Sequence, residues 1–255
     1  MRALYTAATG MAAQQIRLDN IANNLANVST VGYKKTRETF EDLIYQDLPT
    51  GEANANALRP STAQVGSGTR LVAVSRNFTA GQMEYSGNTY DLAIGARGFF
   101  VVEDPDGNQR YTRDGQFAQN ADGEIVNAMG YTLSPGIQIP DDADQVTIAQ
   151  DGTVTVSYKD STDVVTLGQI ELVDFANPSG LRALGGNLYG ATNESGESIP
   201  MSENILVQQG YFEHSNVDVA EELLSMITAQ RVFELTSKVI EASDENLQLI
   251  SKLKR

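Results

Sequence analysis

The chain has 255 residues, 41% of them hydrophobic, which is enough for a packed core and excludes wholesale disorder. There is no cysteine, so disulfides and thiolate metal sites are excluded, and there is one histidine and no tryptophan. The formal charge is −15, and residues 76–205 carry most of it, with 19 acidic and 6 basic side chains. An acidic middle argues against nucleic acid, whose phosphates require Lys and Arg, and no apolar run reaches the roughly 20 residues that a membrane helix needs.

At the N-terminus, Leu4, Ala8, Met11, Gln15, Leu18, Ala22 and Leu25 recur at alternating intervals of 4 and 3. That spacing predicts a helix with a heptad seam, about 40 Å long, ending near Ser29 with Gly32 just beyond. A second row, Ala7, Gln14, Ile21 and Val28, runs beside it. Gln14 and Gln15 interrupt the segment too early for a secretory signal. Asn20, Asn23, Asn24 and Asn27 crowd into two turns, although asparagine is a poor helix former. Two readings stand open: a polar solvent face, or neutral amides that bond neighbouring chain in a crowded interface.

Residues 46–70, "QDLPTGEANANALRPSTAQVGSGTR", are polar and contain two prolines. They predict a long irregular arm, with Leu48, Leu58 and Val65 as anchors and Pro49 and Pro60 restricting its shape. Next comes a β region. Turn signals recur as "DPDGN", "RDG", "ADGE", "QDGT" and "ESGE", separated by β-prone runs such as "GFFVVE" and "TVTVSY".

After "SNVD", where Ser215, Asn216 and Asp218 are all candidate caps, the chain runs to its end without proline or glycine. Val232, Leu235, Val239, Ala242, Asn246, Leu249 and Leu253 form a second heptad seam, with Phe233, Ile240 and Leu247 beside it. Each terminal helix thus carries two apolar rows, more than a two-stranded seam uses. The surplus is covered either by the β region or by further copies of the chain.

Candidate chemistry is sparse. His214 stands alone beside a helix start, the acid-glycine turns lack the ligand spacing of a calcium loop, and "GSG" at 66–68 lacks the lysine of a phosphate cradle. No carboxylate pair is singled out as an acid and base, so no catalytic, cofactor or metal residue is assigned.

"NIANNLANVSTVGYKKTR" at 20–37 closely resembles the N-terminal motif of the bacterial flagellar rod and hook proteins. The resemblance continues in "FEDLIYQ" at 40–46, "YDLAIGARGFFVV" at 90–102, "YTRDGQF" at 111–117 and "QGYFEHSNVDVAEELLSMITAQRVFE" at 209–234, in the family's order. It implies an α+β chain. Residues 1–36 and 216–255 would form a coiled-coil inner domain, 37–75 and 205–215 a connecting region with the arm, and 76–204 an outward β domain. It also implies a non-enzymatic subunit without cofactors, polymerising into a helical tube that encloses an export channel. Partners would be further copies, other rod proteins, the hook protein, the surrounding bushing rings and the export apparatus, with no nucleic acid and no membrane insertion. The location would be the basal body in the periplasmic space.

On that resemblance, Leu4, Ala8, Met11, Leu18, Asn20, Ile21, Asn23, Asn24, Leu25, Asn27, Val232, Leu235, Val239, Ala242, Leu249 and Leu253 are the candidate assembly surface. Gly32 would turn the chain out of the inner layer, and Leu48, Pro49, Leu58, Pro60 and Val65 would stiffen the tube. The long 46–70 segment is similar to that of distal-rod members. A proximal rod paralogue, a hook-type subunit and a secreted β-domain hydrolase or binding module are the alternatives.

Overall fold

The computed structural model describes residues 2–47, 64–159, 164–201 and 205–253, with the side chains of 250 and 253 left aside. They form two compact units: Met1–Leu25 with Thr36–Ser75 and Asp218–Arg255, and Ala26–Lys35 with Arg76–Val217.

The first unit contains both long helices, α1 (Arg2–Ala26) and α2 (Val219–Leu253). α1 stops three residues before the expected end. Asn27 starts a turn there, its carbonyl accepting the Thr30 N–H and its side chain the Thr30 hydroxyl. Of the three candidate caps Asp218 is the one used: its carboxylate accepts the N–H groups of Ala220 and Glu221 at 2.8 and 3.2 Å. At Gly10, α1 comes within van der Waals reach of α2, because a side-chain carbon there would lie 3.8 Å from the Thr236 methyl.

Strand Thr36–Asp42 pairs with Thr69–Arg76, and the pairing resumes between Tyr45–Asp47 and Gln64–Gly66 in antiparallel register. The ends of the expected irregular arm are therefore β ribbon, a correction to the reading of 46–70. The segment shows little apolar alternation, so its pairing with "YQD" at 45–47 has no periodic signal in the sequence. Leu48, Pro49, Leu58 and Pro60 lie outside the described residues.

The second unit is mainly β, with a 3-10 turn at Pro178–Gly180. Its main sheet runs Arg182–Gly185, Leu188–Gly190, Gln109–Thr112, Phe99–Glu103, Thr132–Leu133, Ile125–Asn127 and Phe117–Gln119, with Leu172–Asp174 also on Phe99–Glu103 and Ile199–Pro200 beyond it. Ala143–Ile148, Thr153–Tyr158 and Val164–Gln169 form a second sheet. Leu92–Ile94 pairs with Val207–Gln209, and Met83–Tyr85 with Tyr211–Glu213, so the C-terminal end of the unit closes onto its N-terminal end.

The continuous apolar run "FFVV" has a physical cause. Phe100 and Val102 face one core with Phe117, Ile125, Leu133 and Leu172, while Phe99 and Val101 face another with Tyr111, Phe175 and Tyr189. A strand buried on both faces has no polar side to alternate with. Phe100 is fully buried, edge-on to Phe117 at 5.4 Å. Phe100→Ala is expected to cost about 3–5 kcal/mol, read as a lower urea midpoint for loss of the β-sheet signal.

Candidate functional site

Two features of the structure bear on function: the exposed apolar surface of the helical unit and a buried charge cluster in the β unit. On α2 the shielded positions follow a heptad line, Glu222, Met226, Ala229, Phe233, Thr236, Ile240 and Ser243, with intervals of 4 and 3, flanked by the half-buried Ser225 and Ser237. The seam expected from sequence lies one residue away and faces solvent: Val232, Leu235, Val239 and Leu249 are exposed, Leu235 by 61%, and Ala242 is exposed too. The Leu253 side chain is outside the described set. Leu223, Leu224 and Ile227 extend the exposed apolar surface toward the start of α2.

On α1 the expected seam straddles the boundary between shielded and exposed faces. Leu4, Met11, Leu18 and Leu25 are half-buried, Ala8 is exposed, and Ile21 is buried. The fully open line, Tyr5, Ala8, Ala12, Gln15, Asp19, Ala22 and Ala26, is mostly small or neutral. Val65 is exposed in its strand, as are Leu71, Val72 and Val74 in the neighbouring one.

Asn20 and Asn24 both bond the strand that follows α1. Asn24 is buried and grips the backbone of Thr36, accepting its N–H at 2.9 Å and donating to its carbonyl at 3.0 Å. Asn20, half-buried, donates to the same carbonyl and to Glu38, and accepts the Thr36 hydroxyl. A carboxamide offers a donor and an acceptor side by side, which is what an unpaired backbone residue at the start of a strand lacks. Asn27 holds the turn after α1, and Asn23 is exposed.

The cluster in the β unit is the feature that sequence reasoning missed. Lys34, with no exposure, donates to Glu213 at 2.5 Å and to the Thr79 carbonyl at 2.9 Å. Arg113 donates to the other Glu213 oxygen at 3.2 Å and to the carbonyls of Ile94 and Ala96. Glu213 also accepts the Gly81 N–H, and its own carbonyl accepts the Gly32 N–H. Burial pushes the Lys34 ammonium and the Arg113 guanidinium below their ordinary pKa ranges, and Glu213 opposes the shift in both. Two cations share one carboxylate, main-chain carbonyls supply further acceptors, and the buried Arg113 Nε has no hydrogen-bond partner among the described residues.

Around the cluster the backbone is pressed together. Gly32 has φ +69°, and a Cβ there would sit 2.6 Å from the Asp114 nitrogen. At Gly81 a Cβ would sit 2.0 Å from the His214 carbonyl oxygen. Only glycine fits either place. Asn216, expected as a cap, instead accepts the Lys35 N–H and donates to the carbonyls of Asn77 and Thr79. The ring of His214 meets Glu84 at the surface. A cleft of about 530 Å³ beside Tyr85, Tyr90, Asp141 and Asp144 does not include His214. Among the described residues no group of three or more acidic or histidine side chains could hold a metal, and no helix is long and apolar enough to cross a membrane.

A buried charge cluster in the β unit and exposed apolar rows on the helices of the other unit are features of a structural protein. Residues 4–34 match the family described as flagella basal body rod protein, 93–156 the D1 domain of the flagellar hook protein FlgE/F/G group, and 208–253 the C-terminal region of the flagellar basal body rod FlgEFG proteins. Relatives align over the full length. The flagellar basal-body rod protein FlgG of Borreliella burgdorferi is 46% identical over 100% of this chain and 99% of its own. That of Buchnera aphidicola subsp. Acyrthosiphon pisum is 43% identical, covering 98% of each, and that of Bacillus subtilis 37% identical, covering 100% of each. The chain belongs to the flagellar basal-body rod protein family. It is a structural subunit of the flagellar basal body, not an enzyme, and assembles with other basal-body components. Each of the three matched segments contributes one charge of the cluster: Lys34, Arg113 and Glu213.

Two outcomes are expected. Asn24→Ala removes the acceptor of the Thr36 N–H, while Asn20 still donates to the Thr36 carbonyl, and costs about 1–3 kcal/mol, seen as faster amide exchange at Thr36 and its neighbours. Tyr189, packed on Phe78 and Phe99, has its phenol pushed up to about 12 by burial. Its folded pKa lies above the unfolded value near 10, so its contribution is whole below pH 10 and is lost as pH rises toward 12. Tyr189→Phe should flatten that alkaline decline in the urea midpoint, by at most about 2–3 kcal/mol.

Proposed function

We propose that the chain is the distal-rod subunit, whose copies associate through their helical ends into a helical tube. That tube encloses an export channel and transmits torque from the motor to the hook. The observation that carries this reading is the exposed stripe Val232, Leu235, Val239 and Leu249 on α2, joined by Leu223, Leu224 and Ile227. Apolar rows of this extent on one helix are the surface of an interface. Full-length identity of 37–46% to relatives named FlgG, against 29% to a Bacillus subtilis hook-basal body complex protein named FlhP, supports the distal member.

In this reading the small residues Ala8, Ala12 and Ala22 let neighbouring helices approach α1 closely, and Asn23 adds polar contacts between copies. The 48–63 segment, with Leu48, Pro49, Leu58 and Pro60, bridges neighbouring subunits and blocks sliding. Val65 anchors its return. The β unit, with 76–205 strongly acidic, faces outward. Subunits reach the periplasmic space through the flagellar export apparatus, and the tube meets other rod proteins, the hook protein and the bushing rings.

Leu235→Glu combined with Val239→Glu should leave the circular dichroism and urea midpoint of the β unit unchanged and abolish polymer formation. Electron micrographs and sedimentation of concentrated protein decide it; tubes formed by the double variant would remove α2 from the interface. Shortening residues 48–63 to a few residues should leave the monomer folded but give tubes that curve. Tubes as straight and stiff as the parent would transfer the stiffness to the β units.

A further inference from the structure

We propose that Glu213 is a charge latch that closes the β unit last, holding its N-terminal threads open until the C-terminal segment 211–216 arrives. The unit's first thread, 32–35, is separated from Glu213 by 179 residues and carries Lys34 into a place with no exposure. Arg113, 100 residues before Glu213, is delivered beside it by the main sheet and is 3% exposed. Until Glu213 is in place, closing the unit would seat two cations together in a dry site with only carbonyl dipoles for company. A buried, uncompensated charge is among the most unfavourable arrangements in a folded chain.

The same segment supplies the remaining ties. The carbonyl of Glu213 takes the Gly32 N–H, His214 donates its N–H to Gln82, and Asn216 clamps Lys35, Asn77 and Thr79. Residues 99–158 pair in large part with near neighbours in sequence, such as Phe100↔Thr112 and Val146↔Val156, although Phe99–Glu103 and Gln109–Thr112 also take Leu172–Asp174 and Leu188–Gly190 as partners. Local pairing forms first because little loop entropy is lost, and the distant closure follows.

The charge count makes the latch testable. In the native chain Lys34 bonds Glu213, so Lys34→Met destabilises. With Glu213→Gln the two cations face each other without a carboxylate, and removing one of them relieves the site. Lys34→Met should therefore raise the unfolding rate of the native full-length chain and lower that of the Glu213→Gln chain, each by tenfold or more. Pulse-labelled hydrogen exchange during refolding should protect 99–158 before 32–35, 77–82 and 211–216. If Glu213→Gln fails to fold, the comparison is made on Glu213→Asp, where Lys34→Met should be less costly than in the native chain. Lys34→Met that destabilises both backgrounds equally, or simultaneous protection of all segments, overturns the latch.

Discussion

The β unit depends on one buried arrangement, two cations divided over a single carboxylate. Ion pairs this far from water are weak sources of net stability, because desolvation offsets most of the attraction. Their value lies in what they forbid. Lys34, Arg113 and Glu213 accept one register of three threads that are far apart in sequence, and any other register strands a charge. The apolar cores around Phe100 and Phe99 supply the bulk of the driving force, and the cluster chooses which closed form that force reaches.

The helical unit follows a different logic. Its internal order comes from a few specific ties, such as Asn24 on Thr36, rather than from deep burial. On α2 only Glu222 and Ala229 are buried among the described side chains, while leucines and valines remain open. A 35-residue helix with so little covered surface gains little stability from burial within its own chain. That is consistent with a subunit whose finished form is a polymer.

Much of the fold was legible. Heptad spacing located both helices to within a few residues, and acid-glycine turns marked the β hairpins. The two-sided strand Phe99–Glu103 announced itself as a run of apolar residues. The ribbon ends at 45–47 and 64–66 were hidden, because pairing in a polar segment is decided by the partner strand. On α2 two adjacent apolar rows fit a heptad equally well, and periodicity alone could not say which is shielded; the line through Phe233 and Ile240 is. The charge cluster was invisible for a deeper reason. A lone Lys, Arg or Glu reads as a solvated side chain, and nothing local shows that three of them meet across 179 residues. The only sign was indirect: each sits inside a motif that carried the family resemblance.

The tight crossing at Gly32 and Gly81 has a mechanical consequence. The chain leaving α1 passes through 32–35, and the chain entering α2 passes through 213–217, so two of the four covalent connections of the β unit run through the same few residues. With a backbone oxygen so close that a single methyl group could not be inserted, that crossing has no slack. Tension arriving along either connection meets the hydrogen bonds of Gly32, Lys35, Gly81 and Asn216 together, loaded in parallel rather than one after another. The two connections toward α1 and α2 thus enter the β unit at one short clasp of shared hydrogen bonds.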